Sequence, residues 1–529
     1  MSNDGERRQV KQVRSGSVGA RAARGARERQ LLPPTHAPDI VSAPRLNAAT
    51  LDALLAIVPH PPSAAAWRRL PDSARWRELD RRTPARAGAV RTTVLANQRH
   101  TLAVLGYLAS DASAFERLSL AGRMLKEAGA RSPQIVGLAA TGAAGAARAA
   151  LEALLAAALA HAFALPSWRA AAHEERRIRR LVLLNDVGLD TRSAAAVTRG
   201  TTLVRWLTAL PPNILDARGY RRAIATLARS HGLTLRWHDE RALRRAGAQA
   251  FLAVAAGNAE GGAGIAHLRY RPPRGGRAAR PELALVGKGI LFDTGGVNLK
   301  THRSMLDMHT DMAGSAVALA TLVALAELRA PLAADAWLAI TENRIGPRAY
   351  RPQEVVRAAN GVTIQVIHTD AEGRMVLADT LALAARTRPR LMIDFATLTG
   401  ACVHALTERM SGVLSNRPEL AAALVEAGRT SGERVWSFPF EADYDAELES
   451  KVADIVQCAL DGKGDHILAT RFLSRFVPQG IPWAHIDLSS ATRGGGLAHV
   501  PSDITGFGVR LALELLLKQN IARLLERKR

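Results

Sequence analysis

Lys288, Asp293, Asp311, Asp370 and Glu372 are the residues of this 529-residue chain whose types and order could hold metal ions. They lie in VGKGILFDTGGVNLK (286–300), HTDMAG (309–314) and HTDAEGR (368–374). Of 71 basic residues only 8 are lysine, and between Lys126 and Lys451 the only two are Lys288 and Lys300, inside the first segment. Arg stays protonated in a protein, whereas a buried Lys can lose its proton and offer a lone pair. Four carboxylates converging at an apolar rim would repel one another unless cations neutralised them. Two divalent ions would do so, and carboxylates that bridge two ions hold them about 3.5–4 Å apart. A single Asp or an isolated DxE pair would be ordinary structure. The ordered set with its flanking glycines is specific.

Such a set needs a frame, and the second part of the chain supplies one. Apolar runs of strand length occur at ELALVGKG, AWLAITEN, TIQVIHTD, LMIDFATL and WAHIDL. They alternate with helical runs such as GSAVALATLVALAELR, RMVLADTLALAART and GFGVRLALELLLKQNIARLLER. Continuously apolar strands, each followed by a helix, predict a sheet buried on both faces and partly parallel. Ligands of such sheets bind beyond the carboxyl ends of the strands. Asp293, Asp370 and Thr397–Gly400 all follow strand runs. The fold class expected is α/β, with a small N-terminal α/β domain and a larger C-terminal one whose central mixed sheet is flanked by helices. The expected division is a disordered basic tail over 1–45, an N-terminal domain over 46–196 and a catalytic domain over 197–529. The N-terminal domain carries no cluster of ligand-type residues, so no chemistry is expected there. Its Ala/Leu-rich stretch 137–166 is interrupted by Arg148, Glu152 and His161, which suits a packed helix pair better than a membrane span.

Composition sets the remaining bounds. Cys402 and Cys458 are the only cysteines. They cannot build a disulfide framework, and they suit a reducing, cytoplasmic compartment. The absence of an N-terminal apolar run argues against a secretory signal. The net charge of +23 would suit nucleic acid, but the arginines are dispersed and no DNA-reading motif appears. His302, His309, His404, His466 and His485 lack metal-type partner spacing and read as structural or surface residues.

The GKG, FDTGG, NLK and TDMAG elements, ENRIGPRAYRP (342–352) and DFATLTGA (394–401) together resemble the leucine aminopeptidase (cytosol aminopeptidase) family of two-metal exopeptidases. The resemblance covers most of 197–529. One departure stands out: the family string NTDAEGR is HTDAEGR here, with His368 in place of Asn. The resemblance implies that Lys288, as a neutral amine, and Asp311 hold a first ion. Asp293 and Glu372 would bridge both ions, and Asp370 would hold the second. Lys300 is implied to place its ammonium near the scissile carbonyl oxygen, and Arg374 to bind a bicarbonate that relays protons. Met308, Thr397, Leu398 and Gly400 are implied to line the substrate pocket. The activity implied is metal-dependent removal of N-terminal residues from peptides, by a water that two zinc or manganese ions activate. It also implies a cytoplasmic homohexamer working in peptide catabolism. The rival reading is a DNA-binding or regulatory protein that uses the basic N-terminal region, as some relatives double as DNA-bending proteins.

Overall fold

The computed structural model describes residues 31–34, 37–43, 47–169, 177–184, 188–258, 261–273 and 280–519. Six strands form the first sheet: β1 (Asp39–Ala43), β2 (Ala53–His60), β3 (Val90–Val94), β4 (Leu102–Ala109), β5 (Ile135–Ala140) and β6 (Arg180–Leu184). Their spatial order is β1-β6-β5-β2-β4-β3, parallel throughout except for the edge strand β3. Helices Ala114–Gly129 and Ala144–His161 cover one face, burying Leu118, Met124, Leu151 and Leu155 against Leu55, Val104 and Leu138. The first of these helices starts sharply because Ser113 and Glu116 form a reciprocal capping box.

Several expectations need correction here. The tail expected over 1–45 is too long: β1 pairs in parallel with β6, and Leu31 and Leu32 pack against the core of the larger sheet. A five-residue edge strand with only Ile40 and Val41 as large apolar residues leaves no periodic signal. Residues 1–30 lie outside the described residues. The expected helix pair in 137–166 is one strand, β5, and one helix, Ala144–His161. The boundary expected at 196/197 falls inside the continuous helix Thr191–Ala209, which packs along Ala313–Leu328 of the catalytic part.

The larger sheet contains β7 (Thr234–Asp239), β8 (Gly264–Tyr270), β9 (Leu283–Asp293), β10 (Ala334–Asn343), β13 (Leu391–Ala396), β14 (Ser411–Ser415), β15 (Val435–Ser437) and β17 (Trp483–Asp487). Its order is β15-β14-β17-β13-β9-β10-β8-β7, and the four central strands β17, β13, β9 and β10 are mutually parallel. A small sheet of β11 (Val355–Arg357), β12 (Thr363–Gln365) and β16 (Ile455–Val456) lies apart. The run TIQVIHTD therefore gives only a three-residue strand outside the main sheet, because it turns away to deliver Thr369 and Asp370 to the site.

Both faces of the main sheet are covered, which is why its strands are apolar without alternation. Leu283 and Leu285 of β9 pack under the helices Ala313–Leu328 and Val509–Lys518, whereas Ala284 and Val286 pack under Glu372–Ala385 and Asp465–Ser474. Ala313 through Leu325 are all buried, so that helix is apolar around its whole circumference. The stretches Ala144–His161 and His302–Leu328 are long and apolar enough to cross a membrane by composition, but most of each is buried inside the protein.

Candidate metal centre

The carboxyl ends of β9, β10 and β13 meet at one rim, and the acids gather there. Lys288 shares the β9 face of Ala284 and Val286, so it points at the helix Glu372–Ala385. Gly373 in the first turn of that helix makes the room: a Cβ there would stand 2.6 Å from Lys288 Cε and Nζ. The Lys288 ammonium lies 2.9 Å from Asp311 Oδ2 and 2.9 Å from Glu372 Oε1, and it donates to the Thr397 carbonyl at 3.0 Å. Lys300 Nζ bridges the other acids, 2.9 Å from Asp293 Oδ2 and 2.5 Å from Asp370 Oδ1. Carboxylate oxygens of Asp293, Asp370 and Glu372 lie within 4.8 Å of one another. All five expected ligand residues and Lys300 thus converge.

Surrounding groups fix the acids. Asp293 Oδ1 accepts from the Gly295 amide at 2.9 Å and from Asn343 Nδ2 at 2.8 Å. Asn343 also donates to the Thr369 carbonyl at 3.0 Å, which the Tyr350 hydroxyl reaches at 2.7 Å. Thr397 Oγ1 donates to Asp311 Oδ1 at 2.6 Å. Sequence reasoning missed Asn343 and Tyr350 as site residues. The usable signal was an Asn closing a strand whose every residue is buried, since a buried amide requires partners.

The electrostatics fit a site made for cations. Burial and the neighbouring acids push the Asp311 and Glu372 carboxyls up to about 7, and Asp370 up to about 6, although the lysines oppose the shift. Burial disfavours the Lys288 ammonium, but Asp311, Glu372 and Asp293 outweigh it and raise its pKa. Lys300 is raised in the same way by Asp293, Glu372 and Asp370 against its own burial. The two ammonium groups therefore stand where positive charge is required. Even so, Asp311 Oδ2, Asp370 Oδ1 and Glu372 Oε1 are buried with only the two ammonium groups as partners, and Glu372 Oε2 is buried with none. Crowded hard oxygens beside an amine nitrogen suit divalent cations.

His368 shows how the departure from NTDAEGR is accommodated. Its Nδ1 accepts the Asp370 amide at 3.3 Å, the bond to residue i+2 that an Asn side chain makes in an Asx turn. Burial, Lys300 and Arg374 lower its pKa, keeping the ring neutral as an accepting Nδ1 requires. Arg374 is buried and forks onto both Asp465 oxygens at 2.7 Å, while its Nε has no partner. Of the expected pocket residues, Met308 is half-buried in the turn Met308–Thr310 ahead of Asp311. Leu398 and Thr399 are held by Asp487, whose Oδ1 accepts the Leu398 amide at 3.0 Å and whose Oδ2 accepts the Thr399 hydroxyl at 2.6 Å. Gly400 opens the helix Gly400–Leu406. His485 is fully buried and bonds Asp394 Oδ1 at 2.6 Å, and His466 packs edge-on against Phe438.

A mixed sheet with helices on both faces and a lysine–carboxylate cluster at its carboxyl edge defines a hydrolase of the leucyl aminopeptidase type. The profile of the cytosol aminopeptidase family, catalytic domain, matches residues 202–513, and the chain belongs to that family. It is 42% identical over 349 residues to a probable cytosol aminopeptidase of Syntrophotalea carbinolica, covering 63% of this chain and 68% of the relative. A probable cytosol aminopeptidase of Stutzerimonas stutzeri is 40% identical over 331 residues, covering 61% and 66%. Among solved structures, a tomato leucine aminopeptidase mutant superposes with a TM-score of 0.80 at 26% identity, covering 92% of this chain and 98% of its own. The bottromycin maturation enzyme BotP in complex with Mn gives 0.75 at 30% identity, covering 90% and 100%.

Proposed function

We propose that the chain is a metal-dependent aminopeptidase that releases N-terminal residues from peptides, with two divalent ions, zinc or manganese, at the rim of β9, β10 and β13. The observation that carries this reading is the convergence of Asp293, Asp311, Asp370 and Glu372 on Lys288 and Lys300, with Glu372 Oε2 left without a partner. Lys288 and Asp311 would hold one ion, Asp370 the other, and Asp293 and Glu372 both. The Mn carried by the related BotP structure supports divalent metal in such a site. Ions bound there supply an acidified water and neutralise the acids.

The chain's own residues then have distinct tasks. Lys288 must release a proton before its nitrogen can donate, as ligands do on metal binding. Lys300, once freed from Asp293 and Asp370, offers an ammonium to the oxyanion that develops on the scissile carbonyl. Arg374, held by Asp465, presents its unpaired Nε for the bicarbonate proposed as proton relay. Asn343 and Thr397 fix Asp293 and Asp311, so the acids need not reorganise. Met308, Thr397, Leu398 and Gly400 would receive the first side chain of the substrate. We also propose a cytoplasmic hexamer, with a catalytic domain that takes in the Thr191–Ala209 helix and a basic tail that ends before Leu31.

Asp293→Ala and Glu372→Ala test the reading. Each should abolish hydrolysis of aminoacyl amides and lower bound metal, measured by elemental analysis, from about two ions per chain. Full metal occupancy in either variant would overturn the shared-ligand assignment.

A further inference from the structure

Away from the catalytic cluster, an open cleft of about 420 Å³ lies at the carboxyl ends of β2, β4 and β5 of the first sheet. That is where open parallel sheets bind ligands. The volume lies within the range of small-molecule sites, roughly 300–1,000 Å³. Its walls are apolar, made by Ile57, Leu108 and a series of alanines, but two cations line it, Arg69 and Arg117.

Two independent features point to an anionic head group. Strand β5 leads through Thr141 and Gly142, whose φ of +119° suits only glycine, into the helix Ala144–His161. Its cap residue, Ala143, has no side-chain oxygen to satisfy the first amides, and both Ala143 and Ala146 line the cavity. The N-terminus of such a helix carries about +0.5 of an elementary charge. Separately, Thr141 also lines the cavity, is only 5% exposed, and its Oγ1 has no hydrogen-bond partner. An unmade buried hydroxyl bond is costly, and a ligand oxygen would supply it.

We propose that this cavity binds a small phosphate monoester with an apolar body. The phosphate would engage Thr141, the helix N-terminus and Arg69, and the body would lie against Ile57 and Leu108. Arg117 is held by the Ala112 carbonyl and faces the charges of Glu152 and Glu116, so Arg69 and the helix N-terminus supply the positive charge that an anionic head group would meet. The site belongs to the sheet that was expected to carry no chemistry, and it is independent of the aminopeptidase reading.

Calorimetric titration of full-length, metal-loaded protein with phenyl phosphate tests it. Ala146→Glu places a carboxylate in the first helical turn, where it favours the helix but repels an anion. Thr141→Val removes the orphaned hydroxyl at nearly constant volume. Wild type should bind phenyl phosphate with a Kd of about 1 mM or tighter. Ala146→Glu should weaken it at least about tenfold, Thr141→Val should weaken it measurably, and peptide hydrolysis by Ala146→Glu should be unchanged. Equal binding by wild type and both variants would place the phosphate on the catalytic metals and overturn the proposal. Absence of saturable binding, or equal affinity for benzyl alcohol, would overturn it as well. Should Ala146→Glu fail to fold, Thr141→Val decides by the same comparison.

Discussion

Lys288 and Lys300 sit on the same group of acids, yet their surroundings differ. Lys288 is wedged between Asp311, Glu372 and the Thr397 carbonyl, with Gly373 leaving space for nothing larger. Lys300 spans Asp293 and Asp370 nearer to solvent, its side chain 13% exposed. Exchanging each for Arg should separate the roles. Lys288→Arg should lose metal, because a guanidinium has no lone pair to donate. Lys300→Arg should keep its metal and lose turnover by about 10²–10³, since its planar fork misplaces the charge. Metal content by elemental analysis and kcat for aminoacyl amides distinguish the two. Normal metal in Lys288→Arg would remove it from the ligand set, and equal metal loss in both would make Lys300 structural.

At the scale of elements, the site is the place where three parallel strands end and two helices begin. The apolar runs of β9, β10, β13 and β17 were legible because burial on both faces removes polar residues from a strand. The helices Ala313–Leu328 and Glu372–Ala385 were legible for the same reason. β14 and β15 were not, because SGVLS and VWS are too short to show a period, and neither was β8, GIAHLRY, which carries a His and an Arg. The acids were readable as types in order, but the residues that hold them were not. Asn343 and Tyr350 act through contacts to residues distant in sequence, as Asp465 does on Arg374, and spacing does not encode such pairs. The Arg374–Asp465 fork gives an element-level prediction. Asp465 opens the helix Asp465–Ser474 and is the carboxylate partner of an arginine whose side chain is 2% exposed. Asp465→Ala should cost about 3 kcal/mol of stability, measured by denaturant unfolding, because it leaves a buried guanidinium unpaired. A cost near zero would show that the Arg374 charge is compensated elsewhere.

For the whole molecule, the metal centre should couple stability to pH. Asp311 and Glu372 are pushed up to about 7 and Asp370 to about 6 by burial and by one another, from ordinary values near 4. Between those limits the folded chain binds more protons at these groups than the unfolded chain. Their contribution to the stability of ion-free protein therefore falls as pH rises through about 4 to 7. Cations relieve this repulsion and compete with protons for the same oxygens. The gain in Tm on adding manganese to stripped protein should be larger at about pH 8 than at about pH 5. A gain independent of pH would mean that these carboxyls do not hold the ion.

The central claim is that one metal-bearing rim recognises a free amino terminus and cleaves beside it. The direct measurement uses metal-stripped protein, a dipeptide with a free amine, its N-acetylated counterpart, and manganese or zinc added back. Hydrolysis of the free dipeptide alone, and only after metal is restored, is the expected result, because an amide nitrogen cannot ligate a cation as an amine does. Comparable cleavage of the acetylated peptide, or undiminished activity without metal, would contradict the account.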